Sequence, residues 1–396
     1  MMPKIFAKDL LFLFFGITTA GAAALGFQSS RIGNENDAKV PGNFGACLAG
    51  GGSDAKWSDG WKYLLTKANG GDVLIVRTDG HLGGYQNWIY KDQDQLGFPK
   101  VNSVTTIVID NKSDADSPAA LKAFSRASLI FFAGGDQANY MDRLKDSDSI
   151  QILNNRLKRQ DIAIGGTSAG MAILGGVVYA AHFDSPQSEG LMVTADDVLK
   201  NPMGDFVDIQ KSILELPNLD QVVTDTHFSE RNRQGRILGF MARSTQNQNL
   251  KVQPNTIKGI AIDEGTAVCM DESGKARVFG AGNAFFLKGN GPIERIGETN
   301  PPCLARSLTN PSDLNTQILQ ALGAHLAGHQ TLEWNNNGTA VTAYIIPGRK
   351  DGNSFDLLSW SGSGGQSQFW FVDGSTPQSP QFRTRPAATP ENKPDQ

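Results

Sequence analysis

Four apolar runs constrain this chain more than any other feature. Val73 to Val76 (VLIV), Val104 to Ile109 (VTTIVI), Leu129 to Phe132 (LIFF) and Ile162 to Ile164 (IAI) are short and rich in β-branched or aromatic residues. They do not alternate apolar with polar. A strand with one wet face alternates, whereas a strand covered on both faces does not, which points to a parallel sheet between two layers. Helical patterns fall between the runs, at residues 57–68, 138–145 and 150–158. The expected fold class is therefore α/β, with a mostly parallel, doubly wound sheet. Such sheets carry function on loops at the carboxyl ends of their strands. Three expected strand ends carry glycine: Gly50-Gly51-Gly52, Gly134-Gly135-Asp136 and Gly165-Gly166-Thr167.

The rest of the chain divides by composition. Lys4 and Lys8 precede an apolar run, Leu10 to Ile17, and small residues follow at 20–24. That order reads as a secretory signal over 1–24, and the apolar run is short for a membrane span. The protein is thus expected to be exported, to the periplasm or outside the cell. Residues 25–42 are polar and read as a linker. The α/β hydrolase domain is expected over 43–299, with an elaborated, partly helical insertion at 176–220. Residues 300–372 read as a small β-rich addition, with runs at 340–346 (AVTAYII) and 369–372 (FWFV). The Pro-, Ser-, Thr- and Gln-rich stretch 373–396 is expected to be disordered.

A net charge of −4 without a long basic run argues against nucleic-acid or anionic-membrane partners. Three cysteines, Cys47, Cys269 and Cys303, allow one disulfide of unspecified pairing in an exported protein. No Cys/His spacing resembles a zinc site, and no cofactor is expected.

Gly166-Thr167-Ser168-Ala169-Gly170 is a G-x-S-x-G motif between an expected strand and an apolar helical run. There the glycines permit a sharp turn that exposes the serine hydroxyl, and the Ala169 N–H can face an oxyanion. The same letters also arise by chance in a glycine-rich turn that only caps a helix. A serine hydroxyl needs a base. Of His81, His182, His227, His325 and His329, His227 stands out, because it follows the β-type run Val222-Val223-Thr224 and precedes an arginine series. His81, in the loop TDGHLGG, is the second choice. The third member should be a carboxylate that orients the imidazole. Asp263 and Glu264 follow the run Ile260-Ala-Ile262, and residue chemistry alone leaves the choice between them open.

Four segments, FFAGGDQ (131–137), GGTSAG (165–170), DTHFSERNRQGR (225–236) and GIAIDEGTA (259–267), occur together and in this order. They resemble the cyanophycinase and dipeptidase E family of serine peptidases over roughly residues 43–290, and the arginine series leans towards its cyanophycinase branch. The resemblance implies a class I glutamine amidotransferase-like fold. It implies Ser168 as nucleophile, His227 as base and Glu264 as acid, with an oxyanion hole near Gly135 and at Ala169. It assigns substrate contacts to Gln137, Asp225, Arg231, Arg233 and Arg236. The implied substrate is cyanophycin (multi-L-arginyl-poly-L-aspartate), cut to β-Asp-Arg through an acyl-enzyme. Arginines suit its free carboxylate and Asp225 its guanidinium. A homodimer is a further implication. Met171, the GIAIDE spelling, the polar stretch 244–255 and the expanded 176–220 region depart from the family pattern and bear on pocket shape.

Three alternatives compete. A dipeptidase of the same fold would act on short Asp-containing peptides. An α/β-hydrolase esterase would place its acid before its histidine, requiring His325 or His329. An exported binding protein on a degenerate scaffold would lack triad residue types that are present here.

Overall fold

The computed structural model describes residues 27–182, 193–297, 331–349, 351–374 and 380–387. The expected signal segment, Cys303, His325 and His329 lie outside them.

The chain opens on β1 (Gln28–Gly33) and β2 (Gly45–Ala49), then passes through α1 (Ser58–Lys67) into β3 (Asp72–Arg77). After α2 (Gln93–Leu96) comes β4 (Ser103–Val108). Helices α3 (Lys112–Ala115) and α4 (Pro118–Arg126) lead to β5 (Leu129–Phe132). Helices α5 (Gln137–Leu144) and α6 (Asp148–Arg159) lead to β6 (Ala163–Thr167). Next are α7 (Ala169–Ala172), β7 (Val177–Tyr179), α8 (Ala195–Lys200), β8 (Ile209–Lys211), β9 (Val222–Asp225) and α9 (Gln234–Gln246). The remainder is β: β10 (Lys258–Ile262), β11 (Thr266–Met270), β12 (Lys275–Gly280), β13 (Asn283–Gly289), β14 (Val341–Pro347), β15 (Ser354–Asp356), β16 (Ser361–Ser363), β17 (Gln366–Asp373) and β18 (Gln381–Pro386). The helix starts follow local chemistry. Ser117 accepts from Ala120 N ahead of Pro118, Asp136 from Ala138 N, and Ser147 from Ile150 N.

The strands form two sheets. The first runs β1-β4-β3-β5-β6-β2-β11-β12-β15-β16, the second β18-β17-β14-β13-β10-β9-β7-β8. Parallel pairing is confined to β4-β3-β5-β6-β2 and to β7-β9-β10. Every other ladder is antiparallel. The fold is α/β, but the expectation of a mostly parallel sheet holds only for the centre. The chain after β10 returns by hairpins, and hairpins make antiparallel neighbours.

Three apolar layers explain the unbroken runs. Leu74, Val76, Ile130 and Phe132 share a core with Val222, Ile260 and Phe286 of the second sheet. Val73, Ile75, Leu129 and Phe131 point to the other face, against Trp61, Leu64 and Leu65 of α1. Beyond the second sheet, α9 buries Ile237, Leu238, Phe240 and Met241 against Val223, Ala261 and Phe285. Successive strand residues thus enter different cores, so neither face needs polar groups.

Three boundary expectations are corrected. The 25–42 linker contains β1, paired in register with β4 from Gln28↔Val108 to Gly33↔Ser103. Its polar composition reflects an edge strand with alternating half-exposed and exposed residues. The 373–396 tail contains β18, paired with β17. The 300–372 region does not stand apart, because β14 pairs along all of β13 and β15 pairs with β12. Cys47 and Cys269, opposite one another on β2 and β11, form a disulfide.

Candidate active site

Ser168 sits between β6 and α7 with φ 52° and ψ −120°, a conformation that side chains avoid and that recurs at functional turns. The bend is held by Ser168 N–H donating to Ala49 O (3.0 Å) and Ala172 N–H donating to Ser168 O (3.0 Å). It closes so tightly that a Cβ on Gly166 would lie 2.4 Å from Gly170 O. The result is a hydroxyl projecting at the carboxyl end of the first sheet's parallel centre.

Its partner comes from the second sheet. His227 follows β9 with φ 46°, and its N–H donates to Gly50 O at 2.7 Å. Gly51 lies against the imidazole: a Cβ there would sit 2.3 Å from His227 Cε1. The triple glycine after β2 therefore lets backbone from the first sheet press on the histidine of the second. Ser168 Oγ and His227 Nε2 are 2.7 Å apart, and His227 Nδ1 and Glu264 Oε1 are 2.6 Å apart. Glu264 follows β10, the parallel neighbour of β9.

The neighbouring Asp263 faces away from the imidazole. Its Oδ1 accepts from Ser229 N–H (3.0 Å) and its Oδ2 from Asn283 N–H (3.0 Å). The choice that residue chemistry left open is thus made by geometry. Burial pushes the His227 pKa below its ordinary value. The Glu264 hydrogen bond opposes that shift, and the charges of Arg231 and Arg233 add to it. The shift favours the neutral imidazole, the form able to accept a proton.

Gly134 lies against the serine, the position of its missing Cβ being 3.5 Å from Ser168 Cβ. The N–H groups of Gly135 and Ala169 have no acceptor among the described residues, so both are free to donate to an oxyanion. Gln137, the first residue of α5, is buried, with Nε2 donating to Tyr179 O at 3.4 Å.

The remaining expected contacts separate. Arg231 is exposed. Asp225 and Arg236 are 3% and 2% exposed and committed to each other. Arg236 Nε donates to Asp225 Oδ2 (2.9 Å) and Nη2 to Oδ1 (2.6 Å). Arg236 Nη1 donates to Val193 O (2.8 Å), and its guanidinium lies over Tyr179 and Phe240. Arg233 Nη1 adds a bond to Thr226 O (2.7 Å). Burial alone would raise the Asp225 pKa, but Arg236 and then Arg233 hold it below the usual carboxylate range. Asp225, expected to meet a substrate guanidinium, here has its oxygens bonded to two arginines of its own chain. Arg236 is likewise held by these bonds in the buried wall beside α9.

His81 is exposed, and its backbone N–H donates to Asp79 Oδ1 at 3.3 Å. His182 binds Asp208 and Asp142. Among the described residues no group of three or more His, Cys, Asp or Glu could hold a metal, and no helix is long and apolar enough to cross a membrane. The contributions of Gly51 and Asp263 were not assigned from sequence. The run of three glycines was the only trace of the first, and the acidic pair the only trace of the second.

Residues 80–278 match the profile of peptidase family S51. Among curated relatives, a cyanophycinase of Synechococcus elongatus is 27% identical over 255 residues, covering 62% of this chain and 69% of that protein. One of Trichormus variabilis is 26% identical over 209 residues, covering 53% and 59%. A crystal structure of a peptidase from an acI-B1 Actinobacterium aligns with a TM-score of 0.42 at 18% identity, covering 62% of this chain and 90% of that one.

Proposed function

This chain belongs to peptidase family S51 and is a serine-type peptidase, and from that premise we propose that Ser168, His227 and Glu264 are its catalytic triad and cyanophycin its substrate. The observation that carries the reading is the continuous path Ser168 Oγ–His227 Nε2–Nδ1–Glu264 Oε1, at 2.7 and 2.6 Å.

In this mechanism neutral His227 takes the Ser168 proton at Nε2 as Oγ attacks the scissile carbonyl. Glu264 accepts the Nδ1–H, fixing the tautomer and stabilising the imidazolium. The N–H groups of Ala169 and Gly135 hold the developing oxyanion. Collapse breaks the C–N bond, the leaving amine takes the proton from His227, and an acyl-enzyme on Ser168 remains. Water then gives a proton to His227 as its oxygen attacks the acyl carbon; the C–Oγ bond breaks, Ser168 Oγ takes the proton back from His227, and the acid is released. Arg231 and Arg233, whose charges reach His227, supply a positive field suited to a free aspartyl carboxylate. The five-strand parallel centre with the nucleophile turn at a strand end supports the class I glutamine amidotransferase-like reading. The Cys47–Cys269 disulfide supports export to an oxidising compartment.

The commitment of Asp225 to Arg236 favours one second reading, a peptidase of short Asp-containing peptides that has no need of a guanidinium site. Incubation with cyanophycin granules, and separately with Asp-Xaa dipeptides, distinguishes the two by product mass. β-Asp-Arg release is expected; hydrolysis of the dipeptides alone establishes the second reading. Ser168→Ala is expected to abolish either activity with stability within about 1 kcal/mol of the wild type. Undiminished turnover in that variant removes the triad.

A further inference from the structure

We propose that Asp263 is a positioning residue of the reaction, its carboxylate clipping the turn that carries His227 to the strand end that carries Glu264. This rests on the triad reading above.

The turn after His227 is held by three successive N–H groups. His227 N–H donates to Gly50 O (2.7 Å), Phe228 N–H to Ile262 O (3.3 Å), and Ser229 N–H to Asp263 Oδ1 (3.0 Å). The first two acceptors are main-chain carbonyls, which any sequence would supply. The third is a side chain, so this residue type alone sets it. Asp263 is 3% exposed and immediately precedes Glu264. Its second oxygen accepts from both the N–H and the Nδ2 of Asn283 (3.0 and 3.2 Å). Its own N–H donates to Asn283 O (3.1 Å). The carboxylate is thereby anchored on β13 and reaches across to the histidine turn. His227 and Glu264 are 37 residues apart in sequence, and Asp263 joins their two loops without touching the imidazole; Glu230 adds a second, exposed link, its carboxylate accepting from Glu264 N–H at 3.2 Å. An acceptor on both sides is required, and an amide cannot provide it: one of its two faces must be NH2, set against an N–H donor.

The full-length protein is tested with a fluorophosphonate probe, whose labelling rate reports the nucleophile whatever the natural substrate. Asp263→Asn is expected to lower the second-order labelling constant by about tenfold or more. The groups facing His227 are Glu264, Arg231 and Arg233. Loosening the Glu264 contact leaves the two arginines less opposed, so the acid limb of the rate profile is expected to move to lower pH. Loss of folded protein alone would scale the rate and leave that limb in place. Asn283→Ala keeps the Ser229 bond and is expected to label within about twofold of the wild type. Ser229→Pro removes that N–H donor, and with it fixes φ at 229 and restricts Phe228; it carries the test if Asp263→Asn does not fold, because wild-type labelling without the bond is decisive. It is expected to behave as Asp263→Asn does. Wild-type labelling in Asp263→Asn or Ser229→Pro, an unmoved acid limb, or an equal loss in Asn283→Ala overturns the proposal. Labelling that persists in Ser168→Ala overturns the triad instead, so the two failures are distinguishable.

Discussion

Arg231 and Arg233 bear on His227 in the same direction but differ in availability. Arg233 is buried and bonded to Thr226 and Asp225. Arg231 is exposed, and its guanidinium has no ion pair among the described residues. It is the arginine free to grip a substrate carboxylate. Arg231→Ala is expected to raise KM by about tenfold or more, since a charge-assisted contact is lost. It should also act on the base. A nearby cation disfavours the imidazolium, so removing it raises the His227 pKa, and the acid limb of kcat/KM moves to higher pH. The opposite displacement expected for Asp263→Asn makes the two variants a signed pair in the same rate profile. An unchanged KM together with an unmoved limb removes Arg231 from the site. At this scale the sequence was a mixed guide. That Ser168 and His227 come together was legible from motif and context, because each follows a strand, whereas residue chemistry left Asp263 and Glu264 open and only geometry brings Glu264 to the imidazole. The pairing of Asp225 with Arg236 was not legible, because a buried ion pair and a substrate clamp use the same residue types.

The elements that build the site are strand ends and not helices. β6 delivers Ser168, β9 His227 and β10 Glu264, while β2 ends in the glycines that hold them together. Gly51, with φ +103°, leaves no room for a Cβ before the His227 ring. Alanine there is expected to leave most of the fold intact at a cost of about 1–3 kcal/mol, because the strain is local. It should displace the imidazole from Ser168 and lower kcat by about 100-fold. Parallel urea titration and turnover measurements check both halves. Wild-type kcat in Gly51→Ala would mean that the ring contact is not needed. Legibility at this scale followed burial. The runs at 73–76, 104–109 and 129–132 were readable because both faces of those strands are covered. β1 and β18 were missed because edge strands carry polar side chains on their open faces. The antiparallel half was missed because pairing partners far apart in sequence leave no local periodicity.

The two sheets meet in one site, since Ser168 stands on the first and His227 and Glu264 on the second. The C-terminal strands belong to that arrangement. β13 is paired on one side with β10, which leads into Glu264, and on the other with β14 along its whole length. Phe228, the residue after His227, packs against Phe285 of β13 and Trp370 of β17, with ring centroids 4.9 and 6.1 Å apart. Trp334, Val341, Ala343, Trp370 and Val372 share a core with Ile237, Phe240 and Met241 of α9. A chain ending at residue 330 would open β13 as an edge and uncover this core. Were the segment beyond 300 an independent addition, such a chain would be soluble and active. Continuity of the sheet predicts the reverse: low soluble yield, weak near-ultraviolet circular dichroism and no fluorophosphonate labelling at Ser168. A folded, fully labelled truncation would show that the β17 buttress behind Phe228 is dispensable and that the first sheet with β7–β13 holds the His227 turn unaided.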